Sequence, residues 1–82
     1  MIDFSNSSEE EIEDFYLKVS KNIRRIREEK NINQLDLALD IGIKSVAFYS
    51  NCENNKNDKH FNLEHLYKIA KALDIELSEL VK

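Results

Sequence analysis

The segment QLDLALDIGIKSVAFYSNCE, residues 34–53, decides the fold, because it holds the only glycine of the chain between two short helical patterns. Leu37, Ala38 and Ile41 fall on one side of a helix running from Gln34 to about Ile41, which Asn33 can cap. Gly42 comes next, where a chain leaving a helix often needs a positive φ that glycine takes without steric cost. Lys44-Ser45 then offers a new cap, and a second helix runs from about Val46 to Cys52. Taken alone this predicts a tight helical hairpin.

Upstream, Ser7 and Ser8 stand three residues before Glu10 and Glu11, the spacing of a capping box, so a helix begins near Glu9. Ile12, Phe15, Tyr16, Val19, Ile23 and Ile26 recur at steps of three and four and form its apolar face, ending near Lys30. Residues 1–8 have the polar composition of a disordered end. Downstream, Asn54 to His60 reads as a polar loop. Asn62 then caps a helix whose inner face is Leu63, Leu66, Ile69, Ala70 and Leu73, and Leu77 to Val81 forms a last short helical turn.

Composition agrees with an all-helical chain. Among 82 residues there is no proline and a single glycine, so the strongest helix breakers are nearly absent. The length suits one domain. A lone cysteine, Cys52, excludes an internal disulfide. No apolar run approaches the roughly 20 residues of a membrane span, and no signal-peptide core is visible, which points to the cytoplasm and away from the membrane. The net charge of −4 argues against a polyanionic partner until it is divided along the chain. Residues 1–17 carry six acids and no base, whereas residues 18–60 carry nine bases against six acids. The chain therefore divides into an acidic N-terminal extension, residues 1–17, leading into the first helix, and a domain of residues 18–82 whose middle can face phosphate.

Five groups of residues stand in a telling order. They are Ile23-Arg24-x-Ile26-Arg27, Gln34-x-x-Leu37-Ala38-x-x-x-Gly42, Tyr49-Ser50-x-Cys52-Glu53-Asn54-Asn55-Lys56, Leu66-x-x-Ile69-Ala70-Lys71-Ala72-Leu73 and Leu77-Ser78-Glu79-Leu80. Through them residues 18–81 resemble the Cro/phage-repressor (XRE-like) helix-turn-helix family. The resemblance implies an all-α fold, a compact bundle of about five helices forming a lambda-repressor-like DNA-binding domain. It implies double-stranded DNA as partner, with the second motif helix in the major groove.

The resemblance also assigns roles by position. Gln34 matches a phosphate-facing glutamine, and Arg27 and Glu53 match a structural ion pair. Ser45, Val46, Ala47, Ser50 and Asn51 lie where base contacts arise. The Asn51 amide suits adenine, and Val46 or Ala47 suits a thymine methyl. Lys44, Asn54, Asn55 and Lys56 would hold phosphates, with Lys59 a further contact. Glu53 falls eleven residues after Gly42 where ten is usual, and Asn55 occupies a usual glycine position.

Other chemistry has less support. Cys52 with His60 and His65 fits no common zinc spacing, so no metal or other cofactor is expected. No Ser-His-Asp ordering, phosphate-cradling glycine loop or HExxH run is present, so the chain is not expected to be an enzyme. The function implied is a sequence-specific transcriptional regulator, a repressor binding a palindromic operator as a homodimer. The alternative is a protein-interaction module or antitoxin-like protein whose N-terminal segment binds a partner protein.

Overall fold

Each helix begins on a side-chain oxygen that accepts a backbone N–H one turn later, satisfying a donor the helix itself leaves unpaired. Ser8 accepts from Glu11 at 3.1 Å, Asn33 from Asp36 at 2.8 Å, Ser45 from Phe48 at 3.1 Å and Asn62 from His65 at 2.8 Å. The helices that follow, in a computed structural model describing residues 8–82, are α1 (Glu9–Glu29), α2 (Gln34–Asp40), α3 (Val46–Asn54) and α4 (Leu63–Leu73). The last short helical turn expected over Leu77 to Val81 is a 3-10 turn, Leu77–Leu80. Among the described residues there is no strand.

The helices also end alike. The residue after each helix, or one further on, is left-handed: Asn31 (φ 59), Gly42 (φ 81), Asn55 (φ 53) and Asp74 (φ 56). In each case the next N–H reaches back five residues: Ile32 to Arg27, Ile43 to Ala38, Lys56 to Asn51 and Ile75 to Ala70, at 2.8–3.1 Å. Gly42 serves one of these four ends and Asn or Asp the other three, since these are the side-chain-bearing residues that enter this region most readily. Ile32, Ile43 and Ile75 then tuck against the core just past their helices.

The core joins Val19, Ile23 and Ile26 of α1 to Leu37 and Ala38 of α2, Tyr49 and Cys52 of α3, and Leu66, Ile69 and Leu73 of α4. Leu80 closes one end and is fully buried, and Asn22 donates to its carbonyl at 3.0 Å. α3 packs on both α1 and α2, where the Ser20 hydroxyl donates to the Cys52 carbonyl at 3.2 Å.

Four expectations are corrected. Ile12 and Phe15 are 44% and 46% exposed, because the first turns of α1 run beyond the core and no other described helix packs over these two side chains. The radius of gyration, 13.6 Å, accordingly exceeds the roughly 12 Å of a compact chain this long. Leu63 is 83% exposed: at the first position of α4 it precedes the part of the helix that meets the core. Ser8 caps α1, as its spacing to Glu11 predicts, and so does not belong to a disordered end; that expectation for residues 1–7 lies outside the described residues. α3 also continues two residues past Cys52, to Asn54.

Candidate nucleic-acid interface

The orientation of α3 is set from beneath by Glu53, whose side chain is completely buried. Arg27 of α1 grips it with two hydrogen bonds, Nε to Oε2 at 3.0 Å and Nη2 to Oε1 at 2.8 Å. The same guanidinium donates through Nη1 to the Ile32 carbonyl at 2.7 Å, so one side chain links α1, its C-terminal turn and α3. Tyr49 Oη donates to Oε2 at 2.6 Å, Gln34 Nε2 to Oε1 at 3.3 Å and Arg24 Nε to Oε1 at 3.3 Å.

Burial opposes ionisation of Glu53, but the hydrogen bonds from Arg27 and Tyr49 outweigh it and hold the carboxyl below its usual pKa. Burial, reinforced by the Glu53 carboxylate, pushes the Tyr49 hydroxyl well above its usual value. The Arg27 guanidinium is raised, chiefly by its hydrogen bond to Glu53. This is a satisfied ionic cluster, in which each charge is met by partners of fixed geometry.

The opposite side of α3 faces solvent. Ser45, Val46 and Ala47 are exposed at its start, and Ser50 and Asn51 are half-buried one turn on. Lys44 precedes the helix and Lys56 follows it, both exposed, so a cation stands at each end of this face. The Asn51 amide forms no hydrogen bond with any described residue, whereas Ser50 and Asn54 are engaged. Asn54 donates to Ser50 Oγ at 3.2 Å and accepts from Arg24 Nη2. Gln34 is half-buried beside this face, one amide hydrogen directed at Glu53. Asn55 turns its amide inward. Both of its polar side-chain atoms are buried without a partner among the described residues, and its left-handed backbone caps α3.

The loop beyond carries Lys59, exposed, on two further left-handed residues, Asn57 (φ 56) and Asp58 (φ 57). It is pinned to α1 by His60, whose ring stacks on Tyr16 at 3.8 Å between centroids. The positions named from the sequence thus lie on α3 or next to its two ends, with Gln34 joined to them through Glu53, Asn55 turned inward and Lys59 further along the loop near α1.

Sequence reasoning missed three members of this arrangement. Tyr49 carries no role in the sequence reading beyond its place in the motif, although a tyrosine four residues before a glutamate on one helix is in reach of it. Arg24 likewise carries no role in the sequence reading beyond the motif, yet it bridges to Glu53 and Asn54 of α3. The Tyr16–His60 stack had no signal, since nothing in either neighbourhood marks the other. Cys52 is buried, and that burial pushes its thiol pKa up, which makes it an inert core residue.

A family model described as helix-turn-helix matches residues 23–80, which takes in Arg27, α2, α3, the loop and α4. No curated protein and no solved structure matches the chain.

Proposed function

The chain belongs to the helix-turn-helix family of DNA-binding regulators, of the XRE-like kind, and on that premise we propose that it is a cytoplasmic repressor binding a palindromic operator as a homodimer. The observation that carries this reading is the exposed face of α3, with small and amide side chains between two lysines. A major groove admits an α-helix, and an operator half-site is read by the few side chains that reach base edges. Asn51 reads adenine, Val46 or Ala47 meets a thymine methyl, and Ser45 and Ser50 add hydrogen bonds. Lys44, Asn54 and Lys56 hold phosphates on either side, with Gln34 at the N-terminus of α2, and Asn55 acts through the turn it caps. Two copies present two α3 helices about one turn of DNA apart, roughly 34 Å. Repression follows from occupying DNA that a polymerase must use.

The test is a fluorescence titration against DNA from upstream of the gene. Asn51→Ala should cost about 1–3 kcal/mol on the operator and little on unrelated DNA. Lys56→Ala should weaken both and reduce the salt slope by about one. Equal loss on all sequences in Asn51→Ala, or binding indifferent to salt, rejects the reading. A second reading, a protein partner for the N-terminal segment, is supported by the exposed Ile12 and Phe15.

A further inference from the structure

Among the described residues, two surfaces with exposed apolar side chains differ in charge, besides a third formed by Tyr67, Ile75 and Leu77. The first is the start of α1, where Ile12, Phe15 and Tyr16 line a concavity with Glu11. Acidic residues surround it: Glu9, Glu10, Glu13 and Asp14 lie on the same two and a half turns. The second lies between α2 and α4. A concavity of about 530 Å³ is lined by Leu39, Ile41 and Ala72 and edged by Asp40, Lys68 and Lys71. Leu39 is 57% exposed there, while Lys71 leans toward Tyr67 on the neighbouring side of α4, 5.8 Å from its ring. The first surface carries five acids against one base, Lys18, which lies 5.7 Å from the Phe15 ring, and the second has two bases against one acid in its lining.

We infer that the start of α1 docks into the α2–α4 concavity of a second copy of this chain, Phe15 entering between Leu39 and Ala72 while Glu11 meets Lys68. The inference rests on the dimer reading above and names its interface. A volume of this size takes one phenyl ring with room to spare. Direct pairing of two α1 starts would instead bring five carboxylates of one copy against five of the other, a like-charge contact that works against association. A second copy carrying both surfaces satisfies each of them at once. In a two-fold dimer the contact is made twice, since each copy inserts its own α1 and receives the other. Nine residues of helix, roughly 13 Å long, are too small to hold two molecules once, and doubling the contact moves the area toward that of a specific interface. The surface pairs that Lys68 and Lys71 already make, with Glu64 at 2.9 Å and with Tyr67, are exposed and weak, so they yield to a partner.

Sedimentation of the full chain over a range of concentration tests this, with circular dichroism as the check on folding. Glu11→Lys and Lys68→Glu should each weaken the dimer about tenfold, because every lost pair is lost twice. The two changes combined should restore it to within about threefold, and Phe15→Ser should dissociate it. A chain that stays monomeric at high concentration overturns the inference. So does a dimer sensitive to Phe15→Ser but indifferent to Lys68→Glu, which is the mark of α1 pairing with α1, and so does a charge exchange that fails to rescue. DNA titrations run in parallel separate the two readings. A rescued dimer that ignores DNA rejects the regulator and keeps the interface, whereas a monomer bound to a half-site does the reverse.

Discussion

Glu53 accepts from four side chains on three helices, and this makes it the residue whose charge state matters most to the fold. Removing one member of a buried ionic cluster leaves its partner charged and unpaired, which costs about 3–5 kcal/mol. Glu53→Gln should therefore lower the unfolding free energy by about 3 kcal/mol at pH 7 in a denaturant titration. The pH dependence follows from the depressed pKa. Glu53 contributes its stability above the usual carboxylate value, 4.5, and the contribution is lost as pH falls through its lower folded value. The wild-type midpoint should thus fall steeply below about pH 5, and Glu53→Gln should flatten that limb. Tyr49 acts at the other end of the scale. Its folded pKa lies above the ordinary 10.0, so its contribution is lost as pH rises past that value. A Glu53→Gln chain with an unchanged acid limb would show that other carboxylates govern acid unfolding.

At the scale of the helix, α3 ends on a residue that does two unfavourable things. Asn55 holds a left-handed backbone, and it buries an amide with no partner among the described residues. The first costs about 1 kcal/mol in a side-chain-bearing residue and the second about 1–3. Glycine removes both while adding roughly 0.5–1 kcal/mol of unfolded-state entropy. Asn55→Gly should therefore stabilise the chain by about 1 kcal/mol, read as a higher thermal midpoint with α3 unchanged. A lower midpoint would mean that the amide has a partner in solution. The ends of the helices were legible in the sequence for the same local reason. Caps and left-handed exits depend on one to four neighbouring residues, so Asn33, Ser45, Asn62 and Gly42 could be read directly. What was not legible depends on distant chain. The stripe of Ile12, Phe15 and Tyr16 has the same periodicity whether a neighbour covers it or not, and Leu63 belongs to the inner face only if the helix is covered from its first residue. The Arg27–Glu53 pair came from resemblance, while Tyr49, Gln34 and Arg24 around it needed the packing of α1, α2 and α3.

Charge has its meaning at the scale of the whole molecule. The net −4 is the sum of an acidic start, a basic middle and a last stretch, residues 61–82, with one acid in excess, and the fold keeps the first two near each other. Tyr16 stacks on His60, so the acidic turns of α1 stand beside the loop that carries Lys56 and Lys59. A field of this kind acts within about 10 Å at 0.1 M salt and further at lower salt. Phosphate brought to that loop therefore meets attraction from the lysines and repulsion from α1. Glu9, Glu10 and Glu13 supply much of the repulsion and are all exposed. Replacing all three with Gln keeps Glu11, Phe15 and Tyr16 and removes three negative charges. On unrelated duplex DNA the triple variant should bind several-fold tighter at about 50 mM salt, and the gain should vanish near 0.5 M, where screening shortens the field to a few ångströms. Operator specificity, measured as the ratio of specific to unrelated affinity, should fall, because the gain is blind to sequence. An unchanged affinity at low salt would mean that the acidic turns point away from bound DNA, and an equal gain at high salt would mean that the substitutions act by contact and not by field.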